Sequence, residues 1–175
     1  SRSLLSRHTN GAVDAVIPMH LIRAAIGRSV MPSPNTAMIW GLDVARFGAD
    51  RTALCKRRGQ RVTEPVRVWR GKDLMQTAGL VKLEWDHTLP EERPLSIAVD
   101  VIGMGAGVVD RLNEMGLPAV GVNVAEAPSI ADHYVRLRDE LWFRAKDWFS
   151  TLAVSIPYDE ELIADLSAPI YRVQS

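Results

Sequence analysis

The chain has 175 residues, of which 47% are apolar, enough for one core of ordinary size or one domain with an extension. Lys plus Arg and Asp plus Glu number 21 each, so net charge gives no global argument for nucleic acid or membrane, and any polyanion site must be a local patch. The single cysteine, Cys55, excludes a disulfide framework and a Cys-rich zinc site, and no apolar run approaches the roughly 20 residues of a membrane span.

The chain starts at Ser1 and stops at Ser175 as a strand-like IYRVQS begins, which leads us to expect a piece of a larger protein. Residues 1 to 17 are polar and irregular. PMHLIRAAIGR (18 to 28) then shows apolar positions at helical spacing behind a favourable proline, and SVMPSPN (29 to 35) reads as a linker. Residues 1–35 are therefore expected to be an extension or linker, and 36–175 the main domain. TAMIWGLDVA predicts a first strand, FGAD a turn, and RTALCKRRG a second strand folding back as a hairpin. QRVTEPVRVWR predicts a third strand in which Pro65 marks a bulge or an edge. Asp73 is placed to cap a helix through LMQTAGLVKLEW, and LSIAVDVI suits a buried fourth strand. GMGAG leads into the amphipathic VVDRLNEMG, with Gly116 as its C-terminal stop, and PAVGVNV is a further strand. ADHYVRLRDELWFRAKDWF predicts the longest helix, with Leu137, Leu141, Ala145 and Trp148 on one face. STLAVSIP, a helix over DEELIADLSA and the strand IYRVQS follow. Three antiparallel strands followed by βαβ crossovers imply an α/β fold, a mixed sheet with helices on both faces.

Within that plan Asp43 ends the first strand and Asp100 the fourth, each followed by a glycine-containing turn. If those strands lie side by side and parallel, their carboxylates converge at one sheet edge. Hard cations such as Mg2+ or Mn2+ take oxygen ligands and tolerate little geometric error, so rigid strands are a suitable support. Gly103 and Gly105 would leave room for a phosphate backbone, and amide groups at a helix start can face an anion. The competing reading is that Asp100 merely ends its strand and that Asp43 pairs with Arg46 or Arg51.

GLDVARFGADRTALCKRRG, IAVDVIGMGAGVVDRLNEMG and HYVRLRDELWFRAKDWF followed by ELIADLSAPIY together resemble the C-terminal nuclease domain of phage large terminase subunits, in order and spacing, from about Asp14 onward. The resemblance implies a ribonuclease H-like fold and an endonuclease that cuts concatemeric double-stranded DNA during genome packaging with two metal ions. It maps Asp43 to the ligand that usually bridges both ions and Asp100 to the fourth-strand ligand. It also implies a third carboxylate on a later helix, expected beyond Ser175, and Asp165 is not taken in its place. An upstream ATPase domain of the same chain, the portal and the small terminase subunit are the implied partners, and the bacterial host cytoplasm the implied location. No G-x-x-x-x-G-K-[ST] phosphate loop occurs in the sequence.

Secondary candidates surround this pair. Asp50 could hold a metal-bound water or simply serve its turn, and Arg46 could contact the scissile phosphate or pair with Asp43 or Asp50. Lys56, Arg57 and Arg58 form the one compact basic run, at an expected hairpin tip where they could straddle duplex phosphates or be a solvated turn. The tryptophans read as core and Cys55 as a small buried hydrophobe. Holliday-junction resolvases and transposases also place carboxylates on the first and fourth strands of this fold. An actin-like ATPase lobe and a non-catalytic docking module of the packaging motor are the alternatives from other classes.

Overall fold

The computed structural model describes residues 13–45, 51–123 and 145–172. Its strands and helices are β1 (Val13–Ala15), α1 (Met19–Ile26), β2 (Met38–Asp43), β3 (Arg51–Arg58), β4 (Arg61–Val62), β5 (Arg67–Arg70), α2 (Leu74–Asp86), β6 (Ser96–Asp100), α3 (Gly105–Glu114), β7 (Ala119–Val122), α4 (Glu160–Ser167) and β8 (Ile170–Arg172). Residues 145–150 are also helical. They are the described end of the long expected helix, whose earlier part, including Leu137 and Leu141, lies outside the described residues.

The main sheet is mixed, in the order β4-β3-β2-β6-β7, with β5 also pairing to β3. β2 and β3 form the expected antiparallel hairpin, while β2, β6 and β7 run parallel. The third expected strand is broken in two: β4 pairs with Arg57 and Arg58, β5 with Arg51 to Leu54, and Pro65 sits in the gap. A residue without an N–H cannot continue a ladder, so the break falls where the sequence places it, on the outer side of β3.

Alternation along the strands decides which face is which. Trp40 and Leu42 of β2, Leu54 of β3, and Ile97 and Val99 of β6 turn to one face. There they pack with Ala78 and Val81 of α2 and Val108 and Leu112 of α3. The α2 start is a full capping box: the Asp73 side chain accepts from Gln76 N, and the Gln76 side chain accepts from Asp73 N. At the other end of α3, Gly116 takes φ +84°, the left-handed turn that stops the helix.

A second core, on the opposite face, joins Val16, Ile17, and Leu21, Ile22 and Ala25 of α1 to Val62, Phe149, Val154 and Ile156. Cys55 of β3 and Leu162, Ile163 and Leu166 of α4 pack against it. Residues between Val16 and Ile26 thus share a core with the main sheet, although the sequence places them in the extension before Thr36. Ile156 N donates to Ala25 O, Ser155 Oγ to Arg28 O, and Arg28 to Val154 O at 2.7 Å. β1, which the irregular composition of residues 1 to 17 does not foretell, pairs antiparallel with β8 as a separate two-stranded sheet.

Candidate functional site

The register of β2 on β6 pairs Leu42 with Val99. One residue further on, Asp43 and Asp100 are the last residues of two neighbouring parallel strands, which lie roughly 4.8 Å apart. Because Trp40, Leu42, Ile97 and Val99 face the first core, alternation puts both acids on the other face, together with Gly41 and Ala98. The parallel pairing of the first and fourth expected strands is the one the sequence leads one to expect. It also answers why an acid can stand in an apolar strand: Asp43 belongs to the exposed side of its strand's end.

Asp100 is held by the turn that follows it. Its Oδ1 accepts a hydrogen bond from Ile102 N at 2.9 Å, and Oδ2 has no partner among the described residues. Gly103 takes φ +73°, and α3 begins two residues later against the strand end. A Cβ on Gly105 would lie 1.7 Å from the Asp100 carbonyl oxygen. The room expected there for a phosphate is therefore filled by the protein's own backbone at Gly105. The glycines are explained by the tightness of the turn that presents Asp100.

Beside Asp43 the sheet and α4 enclose a cleft of about 350 Å3, whose walls include Asp43, Arg51, Cys55, Ala98, Glu161 and Asp165. α4 is fixed over the sheet by Asp159. One carboxylate oxygen of Asp159 caps the helix by accepting from Glu161 N and Leu162 N, and the other accepts from Val66 N at 2.9 Å. Arg51, diagonal to Asp43 across the hairpin and on the same face, donates from Nη1 to Glu161 Oε2 at 2.7 Å and from Nη2 to Asp165 Oδ2. The hydrogen bonds to Asp165 and Glu161 raise the Arg51 pKa above its ordinary value against a smaller effect of burial. Cys55 lines the same cleft, and burial pushes its thiol pKa up, so this sulfur favours its neutral form.

The basic run is arranged differently from the exposed tip that the sequence suggests, and this corrects that expectation. The hairpin turn lies beyond it, at Gly59 and Gln60, where Gly59 has φ +53°. Lys56 points to the first core, its side chain only 9% exposed, paired with Glu84 at 2.7 Å and Glu64 at 3.2 Å and seated 4.7 Å over the Trp40 ring. Arg57, on the other face, donates to Gly59 O and covers Trp148. Arg58 ends β3 opposite Met38. Arg46 and Asp50 lie outside the described residues.

Arg51, Glu161 and Asp165 escape the sequence reading. Arg51 figures there only as a possible partner of Asp43, and Asp165 is set aside. The available signal is the i, i+4 spacing of Glu161 and Asp165, which puts both on one helix face.

Asp43 and Asp100 offer the hard oxygen donors that a divalent ion takes, on two rigid strands at adjacent register positions. Among the described residues no group of three or more His, Cys, Asp and Glu is arranged as a metal site, so the pair fits as a partial set of ligands.

No protein-family model matches the sequence, and no curated protein matches it. Solved structures do share its fold. A point mutant of the nuclease domain of the large terminase subunit gp2 of bacterial virus Sf6, with manganese and beta-thujaplicinol, superposes with a TM-score of 0.70 at 17% identity, covering 88% of this chain and 81% of that one. The large terminase nuclease from thermophilic phage G20c with bound magnesium gives 0.59 at 13% identity, over 79% of this chain and 67% of that one. The large terminase of bacteriophage HK97 gives 0.57 at 13% identity, covering 91% of this chain and 37% of that longer one. At these identities the likeness is one of fold: the mixed α/β sheet of this chain is similar to that of these terminase nuclease structures.

Proposed function

We propose, from the fold shared with phage large terminase nuclease domains, that this chain is a metal-dependent DNA endonuclease domain of a phage large terminase subunit. The observation that carries the proposal is the pairing of β2 with β6, which sets Asp43 and Asp100 side by side on one face of the sheet at its carboxyl edge. In this reading the two carboxylates hold Mg2+ or Mn2+, ions of the kind present in the similar Sf6 and G20c structures. Two such ions, when bound, supply charge neutralisation at the scissile phosphate and lower the pKa of the attacking water.

The chain's own part is orientation. Ile102 N fixes one oxygen of Asp100 and leaves the other for an ion, while Gly103 and Gly105 allow the turn to close behind it. A third carboxylate, supplied from beyond Ser175, belongs to the same proposal, as do an upstream ATPase domain, the portal and the small terminase subunit as partners. Double-stranded DNA is the proposed substrate, cut during genome packaging.

The test is cleavage of supercoiled plasmid by the whole protein with Mn2+. Cutting is expected with the ion, none in EDTA, and none in Asp43→Ala or Asp100→Ala. Full activity in both variants would refute the assignment.

A further inference from the structure

Resting on that reading of the site, we infer that Arg51 contacts a backbone phosphate of the bound nucleic acid, and that Glu161 and Asp165 hold its guanidinium in the unliganded protein. Arg51 stands in the same cleft as Asp43, on the same face, two residues from the Asp43 cross-strand partner Ala53. A strand that brings a phosphate to Asp43 therefore passes within reach of this side chain.

The way Arg51 is held supports the exchange. Nη1 and Nη2 donate to two oxygens from two different residues, Glu161 and Asp165. This is the forked pattern with which a guanidinium takes two non-bridging oxygens of a phosphate. Both carboxylates are about half exposed, at 46% and 52%, and exposed ion pairs are weak, so replacing them costs little. α4 does not depend on them for its place, since Asp159 ties it to Val66 N, and Leu162, Ile163 and Leu166 pack against the second core. Lys56 makes the contrast: its carboxylate partners surround a nearly buried ammonium, which is not available for exchange.

Charge gives the exchange a purpose. Asp43, Asp100, Glu161 and Asp165 crowd this face with negative charge, which repels a phosphate strand. Arg51 offsets the acids of α4 when the cleft is empty and becomes a phosphate ligand when it is filled. The carboxylates and the nucleic acid then compete for one cation, so removing the carboxylates strengthens nucleic-acid binding.

The experiment measures binding of a 20-base-pair duplex to the whole protein in EDTA by fluorescence anisotropy across a salt series. Arg51→Ala is expected to weaken binding about 10-fold and to lower the slope of log affinity against log salt by about 1. Arg51→Lys should keep the slope and lose only part of the affinity. The double variant Glu161→Gln, Asp165→Asn should bind at least about 3-fold more tightly, because the freed arginine no longer has competing partners. Opposite signs for Arg51→Ala and the double variant are the signature. If both variants weaken binding together, with matching losses of melting temperature, Arg51 is only a clasp for α4 and the inference is overturned. It is also overturned if Arg51→Ala leaves affinity and salt slope unchanged. Metal-dependent cleavage is scored separately: Arg51-dependent binding without cutting supports this inference and sinks the nuclease reading alone, whereas cutting with Arg51-independent binding does the reverse.

Discussion

At the scale of single residues, the proposed site depends on a backbone contact as much as on its acids. The Asp100 carbonyl occupies the place where any side chain at position 105 would begin. Gly105→Ala must therefore push β6 and α3 apart, and overpacking of this kind costs about 1–3 kcal/mol, more where the neighbour is backbone. We expect Gly105→Ala to lower the urea midpoint by the equivalent of about 3 kcal/mol at unchanged slope, with Asp100 displaced and Mn2+-dependent cutting reduced beyond the loss of folded protein. That Asp43 and Asp100 end neighbouring strands was legible in the sequence, because each is a carboxylate closing an apolar strand ahead of a glycine-containing turn. Arg51 was not. Its partners lie 110 and 114 residues away, and nothing local to ADRTALC reports that α4 will dock above it. Lys56 failed for a related reason: three adjacent basic residues read as one patch, but alternate residues of a strand face opposite ways, and Lys56 goes inward to Glu84 while Arg57 goes to Trp148.

At the scale of elements, the signals that could be read were caps, breaks and periods. Asp73 with Gln76, Gly116 after α3, and Pro65 between β4 and β5 all sit where their chemistry puts them. What periodicity could not supply was the polar part of the joint between α4 and the strands, in which one side chain, Asp159, acts in two directions. Asp159→Ala removes the helix cap and leaves Val66 N without its acceptor, a combined loss of about 2 kcal/mol. A fall in melting temperature is expected, partly restored in Asp159→Asn, which keeps an acceptor for the cap but turns a donor towards Val66 N. An unchanged melting temperature in the alanine variant would show that α4 is held by its apolar packing alone.

At the scale of the whole molecule, two cores lie on opposite faces of one sheet, and α1 contributes to the second. Five residues before Thr36 are buried there: Val16, Ile17, Leu21, Ile22 and Ala25. Truncating even one large core residue costs about 2–5 kcal/mol, against a total stability of about 5–15 kcal/mol for an ordinary domain. A chain starting at Thr36, the boundary that Pro32 and Pro34 suggest, is therefore expected to expose Val62, Phe149, Val154 and Ile156, bind the dye ANS and lose its cooperative melt. A sharp melt at the original temperature would show the second core to be dispensable. The boundary was misleading because proline-rich composition reports local chain geometry and says nothing of where the preceding helix comes to rest. The β1 and β8 ladder carries this closure to the outer limits of the described residues, pairing Val13 with Arg172 and Ala15 with Ile170. Since the strands are antiparallel, the polypeptide leading into one and out of the other departs from the same end of the ladder. Tension applied between those two leads would peel the rungs apart in succession, Val13 with Arg172 first, and would never load them all at once, so this small seam should yield at low force while the main sheet stays whole.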